Sequence, residues 1–257
     1  MIYIETRLNS ADSVCIINDS IELALNQHCK FEGISDALPL YDIWTRNWIR
    51  LKRRSNGVLI IRHGQSEADL LKVLEGRADF HLTEKGLIQA RLLSKWIEEN
   101  ENIDVLLSST LKRAKETTEI ICENSNFPVI FDEELMEWDN GKLAGLTKEE
   151  ADEMYPIPPN GKSLHHTIAN SESLISLRAR AETVLSKILE KYDDESKICV
   201  VSHGGFINMF LRALLKLSNS NELFFYSSDT GRHKIVLDKE KRYCEYLNRT
   251  DHLDYLW

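Results

Sequence analysis

From Val58 onward the chain alternates short apolar runs with longer stretches in which apolar residues recur at helical spacing. Val58–Ile61, Asp104–Ser108, Pro128–Phe131 and Ile198–Ser202 are short enough, and apolar enough, to be strands covered on both faces. Thr83–Glu99, Leu111–Glu123, Ser173–Lys191 and Phe206–Leu215 have the period of helices, with Thr83 placed to cap the first. Lys234–Leu237 and Tyr243–Asn248 read as a closing hairpin or strand pair. This alternation predicts an α/β fold, a three-layer sandwich with a mostly parallel central sheet flanked by helices.

The first 56 residues follow a different pattern and are expected to be a small N-terminal extension, with residues 57–257 forming the main domain. Ile2–Glu5 and Val14–Ile17 read as short strands, Asp19 as the cap of a helix over Ser20–Cys29, and Pro39 as the start of a helix over Leu40–Lys52. On that last helix Leu40, Ile43, Trp44, Trp48 and Leu51 would share one face, which either packs into a core or forms a partner or homodimer interface. No internal repeat or low-complexity tract interrupts the chain.

Composition narrows the picture. Apolar residues make up 42% of 257 positions, enough for a sizeable core. The five cysteines are scattered without CxxC spacing, which argues against a disulfide framework or a zinc site. The N-terminus carries Glu5, Arg7 and Asp12 and resembles neither a signal peptide nor a membrane span, so a cytoplasmic location is expected. A net charge of −9 argues against nucleic acid or an acidic membrane surface as partner, and requires any anionic substrate to be held by locally placed arginines.

The candidate chemistry lies at the strand ends. Gly57-Val-Leu-Ile-Ile-Arg-His-Gly64 and Ile198-Cys-Val-Val-Ser-His-Gly-Gly205 both end an apolar strand on His-Gly, and of eight histidines only His63 and His203 are so placed. Ligands in open α/β sheets gather beyond the carboxyl ends of strands. Arg62 adjoins His63, and in Leu107-Ser-Ser-Thr-Leu-Lys-Arg-Ala114 a strand delivers Ser108, Ser109 and Thr110 to a helix start with Arg113 in its first turn. Hydroxyls, a helix N-terminus and arginines suit an anion, and phosphoryl transfer demands chiefly positioning and positive charge.

Taken in order, Arg62-His-Gly-Gln-Ser66, Gly76-Arg-Ala-Asp79, Leu82-Thr-Glu-Lys-Gly86, Ser108-Ser-Thr-Leu-Lys-Arg-Ala114, Leu135-Met-Glu-Trp-Asp-Asn-Gly141 with Gly145-Leu146, Ser171-Glu-Ser173 and Ser202-His-Gly204 resemble the histidine phosphatase superfamily, also called phosphoglycerate mutase-like. The resemblance runs from about Val58 to Asn248. It implies that His63 is a nucleophile attacking phosphorus through Nε2, that Arg62, Arg113 and His203 clamp the phosphate, and that Glu137 protonates the leaving oxygen and then activates water, a bound phosphate raising its pKa for the first task. Gly64, Gln65, Ser66, Asp69, Gly76 and Gly204 are the further substrate-binding positions it implies. No metal or other cofactor enters this scheme.

Within the family the departures favour a phosphatase. The cofactor-dependent mutases have Asn where this chain has Asp69 and Thr where it has Glu75, and two acids there would repel a phosphoglycerate carboxylate. The mutases also carry a long insert with paired arginines between the catalytic Glu and the Ser-Glu-Ser helix, whereas here the gap runs only from Glu137 to Glu172 and no arginine falls between Arg113 and Arg178. The expected activity is hydrolysis of a small phosphorylated metabolite. A mutase-type phosphotransferase and a regulatory module recruited through the extension are the alternatives. Tyr155–His166, with Lys162, His165 and His166, is expected at the pocket rim, and Asp229-Thr-Gly-Arg-His233 near the site.

Overall fold

The computed structural model describes residues 57–158, 163–193, 195–219, 223–238 and 241–256, together with the backbone of five strands before residue 54. The chain divides into two compact units, Met1–Ser55 and Asn56–Trp257.

In the first unit β1 (Ile2–Leu8) and β2 (Ala11–Ile17) contain the two strands expected at Ile2–Glu5 and Val14–Ile17 and form an antiparallel pair, with Ile4 opposite Cys15. The helix expected over Leu40–Lys52 is not there. The chain instead forms β3 (Leu40–Asp42), β4 (Asn47–Ile49) and β5 (Leu51–Arg53), with β3 and β4 antiparallel and β5 paired to β1. The segment is rich in the aromatic and β-branched residues Tyr41, Ile43, Trp44, Trp48 and Ile49, which favour pleated backbone, and its apolar spacing fits a hairpin as well as a helix. Leu40, Trp48 and Leu51 of the expected helix face thus lie on strands, and Ile43 and Trp44 lie outside the described residues. The helix expected over Ser20–Cys29 lies outside the described residues.

The second unit is built on one six-stranded sheet. In chain order its elements are β6 (Gly57–Arg62), α1 (Glu67–Leu71), α2 (Glu84–Asn100), β7 (Val105–Ser108), α3 (Lys112–Cys122), β8 (Val129–Phe131), α4 (Lys148–Met154), α5 (Leu174–Lys191), β9 (Lys197–Ser202), α6 (Gly204–Leu214), β10 (Arg232–Asp238) and β11 (Lys241–Arg249). The sheet order is β11-β10-β6-β9-β7-β8, with β6, β9, β7 and β8 mutually parallel and β10 antiparallel to both β6 and β11. Thr83 caps α2, its hydroxyl accepting from Gly86 N–H at 3.0 Å.

Alternation along each strand feeds two separate cores. Val58, Ile60, Val105, Leu107, Ile198 and Val200 pack with α5 and α6 through Leu177, Val184, Phe206 and Phe210. Leu59, Ile61, Leu106, Cys199 and Val201 pack with α2 and α3 through Leu93, Ile97, Ala114 and Ile121. Because β9 inserts between β6 and β7, the chain crosses to opposite faces around β6 and β9, and their carboxyl ends open on a topological switch point. Truncating the fully buried Ile60 to Ala should lower the unfolding free energy by about 2–5 kcal/mol, read from chemical denaturation.

Candidate active site

Register places the two histidines. Arg62 pairs with Ser202 across parallel β6 and β9, so the next residues, His63 and His203, leave the sheet side by side. Their rings lie 4.9 Å apart between centroids, tilted by 56°, and both side chains are fully buried. The ladder runs on past the strand ends: His63 N–H donates to Ser202 O at 3.1 Å, and Ser109 N–H to Val201 O at 3.0 Å.

His63 Nδ1 is 2.7 Å from the Gly64 carbonyl, which can only accept, so Nδ1 carries the proton and Nε2 the lone pair. Arg113 Nε donates to that Nε2 at 3.2 Å. Burial, reinforced by the Arg113 and Arg62 cations, holds the imidazole pKa well below its ordinary value, against the opposing pull of the Gly64 bond. His203 is also held neutral by burial and by the charge of Arg113. Its Nε2 lies 2.7 Å from Ser109 Oγ, while its Nδ1 is buried without a hydrogen-bond partner.

Arg113 is fully buried in the first turn of α3 and is aimed by the segment before α2: Nη2 donates to Gly76 O at 2.8 Å and Nη1 to Ala78 O at 2.9 Å. At the start of α3, Lys112 N–H is taken by Asp79 Oδ1 at 2.7 Å and Leu111 N–H by Ser109 Oγ at 3.3 Å, while the Thr110 hydroxyl is buried without a hydrogen-bond partner. Arg62 donates through Nη1 to Ser227 O at 2.9 Å, its Nη2 lies 3.4 Å from Asp229 and 3.8 Å from Asp69, and its Nε is buried without a partner.

Glu137 sits at the amino end of α6. Its carboxylate accepts from Trp138 N–H at 2.7 Å, Phe206 N–H at 2.9 Å and Gly205 N–H at 3.0 Å, where the helix dipole favours negative charge. Arg180, on the buried side of α5, braces the turn that carries it. Its guanidinium donates to the carbonyls of Glu134, Met136 and Glu137 at 2.8, 2.6 and 3.1 Å and grips Glu172 with two bonds of 3.0 and 2.8 Å. The Ser171-Glu-Ser173 motif thus holds Glu137 through Arg180, a residue that the sequence signalled only as an arginine on the same helical face as Leu177 and Val184.

The other expected positions serve mostly to hold the site. Gly64 comes so close to α2 that a Cβ there would lie 2.7 Å from Gly86 O. Gln65 accepts from Thr83 Oγ at 2.9 Å and donates its N–H to Gln89 at 2.9 Å. Asp69 turns back to Ser66 N–H at 2.9 Å, an N-terminal brace for α1 that the substrate-facing reading did not anticipate. Ser66 Oγ donates to Glu75, a half-buried acid that the sequence pattern marked only as unfavourable to a mutase. Gly204 opens α6 beside the Arg62 side chain. Asp229-Thr-Gly231 folds onto the β6 tip, with Thr230 N–H on His63 O at 3.1 Å and Arg62 N–H on Gly231 O at 3.2 Å. At the expected rim, the His165 ring meets Ser163 Oγ at 3.4 Å, and Lys162 lies outside the described residues.

The profile of the histidine phosphatase superfamily (branch 1) matches residues 58–250, about three quarters of the chain. The chain belongs to that superfamily. A phosphatase of Bacillus subtilis, PhoE, is 30% identical over 60% of this chain and 75% of its own length. A 2,3-bisphosphoglycerate-dependent phosphoglycerate mutase of Methylorubrum extorquens is 30% identical over 71% of this chain and 96% of its own. The crystal structure of a phosphoserine phosphatase mutant from Entamoeba histolytica in complex with phosphoserine superposes with a TM-score of 0.65 at 25% identity, covering 76% of this chain and 98% of that one. This histidine phosphatase is therefore an enzyme whose relatives include both phosphatases and mutases.

A Cβ on Gly205 would stand 2.6 Å from Glu137 Oε1. Gly205→Ala should displace that carboxylate and lower kcat/KM for an alkyl phosphate at least about tenfold, while thermal melting shows the fold intact. Full activity in this variant would show that the position of Glu137 is unimportant.

Proposed function

We propose that this histidine phosphatase hydrolyses phosphate monoesters of small metabolites through a phosphohistidine on His63. The observation that carries the reading is the fixed tautomer: the Nδ1 proton is committed to Gly64 O, leaving the Nε2 lone pair against the Arg113 guanidinium. Arg62 Nε and His203 Nδ1, buried at the same strand tips without partners, are further groups that phosphoryl oxygens would satisfy.

In the first step Nε2 bonds to phosphorus, the ester P–O bond breaks, and a protonated Glu137 hands its proton to the departing alkoxide. Arg113 shifts its Nε–H from the histidine lone pair to a phosphoryl oxygen, and Arg62 with His203 completes the clamp. In the second step Glu137 takes a proton from water, the resulting oxygen attacks phosphorus, and the N–P bond breaks to release inorganic phosphate and restore His63. Because these donors are held by backbone carbonyls and strand register, little reorganisation accompanies transfer.

Hydrolysis rather than mutase chemistry is favoured by Asp69, whose carboxyl lies beside Arg62 where a glycerate carboxylate would be repelled. Phosphoserine, the ligand of the Entamoeba phosphatase, belongs in the first panel of phosphate monoesters to be screened.

His63→Ala should abolish turnover of p-nitrophenyl phosphate, and retained activity would contradict the covalent route. Glu137→Gln should slow alkyl phosphates by about 10²–10⁴-fold while slowing formation of the phosphoenzyme from aryl phosphates far less, because an aryl oxide needs little protonation. Equal effects on phosphorylation by both classes, measured in single-turnover experiments, would remove the acid role from Glu137.

A further inference from the structure

The pocket holds more acid than a site for a phosphate dianion requires. Two guanidinium groups, Arg62 and Arg113, are set among four carboxyls, Asp69, Glu75, Glu137 and Asp229, with both histidines neutral. Three of the four have other duties: Asp69 braces α1, Asp229 pairs with Arg62 Nη2, and Glu137 sits on the α6 amides. Glu75 faces the reacting histidine. Its Oε2 lies 3.5 Å from Arg113 Nε and 3.8 Å from His63 Nε2, and its Oε1 is bonded by Ser66 Oγ.

That position coincides with the reaction space. A phosphorus in line for attack by Nε2 stands about 3–3.5 Å from it, so phosphoryl oxygens fall in the same shell around Nε2 as the Glu75 carboxyl. Both also seek the one Arg113 Nε–H. An ionised carboxylate and a phosphoryl dianion cannot share that shell without strong repulsion, whereas a carboxylic acid can donate to a phosphoryl oxygen. The surroundings lean towards the acid form: burial raises the Glu75 pKa, Asp69 raises it further, and Arg113, Ser66 and Arg62 oppose the rise.

We propose that Glu75 is a specificity-determining residue that admits the phosphoryl group only as the neutral acid, donating to a phosphoryl oxygen, so that each dianion bound brings one proton into the pocket. The inference rests on the proposed function, which puts the phosphoryl group against His63. It predicts an enzyme whose substrate affinity weakens as pH rises, through KM rather than through the chemical step.

Sulfate is the suitable probe, since it keeps both charges from about pH 5.5 to 8.5 and any proton taken up in that range is taken up by the protein. Calorimetric titration of the wild-type protein should show binding that weakens about tenfold per pH unit where free Glu75 is ionised, and runs in two buffers of different ionisation enthalpy should count close to one proton taken up per sulfate. Glu75→Gln should bind sulfate at pH 8 at least about tenfold more tightly than wild type, with that slope and that proton lost. His63, His203, Arg62, Arg113, Asp69, Glu137 and Asp229 surround the site in both proteins, so their own titrations are common to the comparison. Equal slopes and proton counts in the two proteins overturn the proposal. If the Gln variant fails to fold, Glu75→Ala serves the same comparison, and a wild-type proton count near zero overturns the proposal with no variant at all. Sulfate binding requires no turnover, so failure to hydrolyse aryl phosphates would defeat the proposed function without altering this result.

Discussion

The pairing of Arg62 with Ser202 across the parallel β6–β9 ladder is the constraint on which the site depends. It makes neighbours of His63 and His203, and the same ladder carries Ser109 alongside through Val201. A slip of one residue would separate the rings by a strand rise of about 3.3 Å and turn every side chain of the slipped strand to the opposite face. Both faces resist that change, since Val58 and Ile60 are committed to the α5–α6 core and Leu59 and Ile61 to the α2–α3 core. The hydrophobic layers thus fix the positions of two polar rings at their common edge.

Electrostatics then fits around that edge in an order set by burial. Arg113, enclosed by protein, is held by the carbonyls of Gly76 and Ala78, which orient its fork without cancelling its charge. Glu137 is oriented by helix amides on one side and by the Arg180–Glu172 pair on the other. These supports pre-set the donors and the proton-carrying group, so substrate binding meets a site already arranged. The opposing feature is the surplus of carboxyls around two arginines, which makes the charge state of the pocket, rather than its geometry, the variable quantity.

Much of this was legible in the sequence because it depends on local pattern. The strands ending in Arg62-His63 and Ser202-His203 are short apolar runs, and their sharp polar ends mark the sheet edge. The order α2, β7, α3, β8, α5, β9, α6 and the closing hairpin follows from periodicity alone. The segment 40–53 misled because aromatic and β-branched residues at spacings of three and four fit either a helix or a hairpin, and pairing with β1 is a tertiary fact. Arg180 was not legible as a site residue, and Glu75 only as an acid beside the substrate, for the same kind of reason. Arg180 acts on Glu137 across 43 residues of chain, and Glu75 reaches His63 only because the loop before α2 folds over the strand tips. Asp69 shows the converse, a motif position whose carboxylate has a local capping task invisible to a motif reading.

The most direct test of the account is to trap the covalent intermediate. The Glu137→Gln variant, mixed with an aryl phosphate and quenched in base, should accumulate one phosphoryl group per chain, mapped by mass spectrometry to the peptide containing His63 and assigned by phosphorus NMR to Nε2. A burst of phenol with no label, or a label on His203 or on Nδ1 of His63, would contradict it.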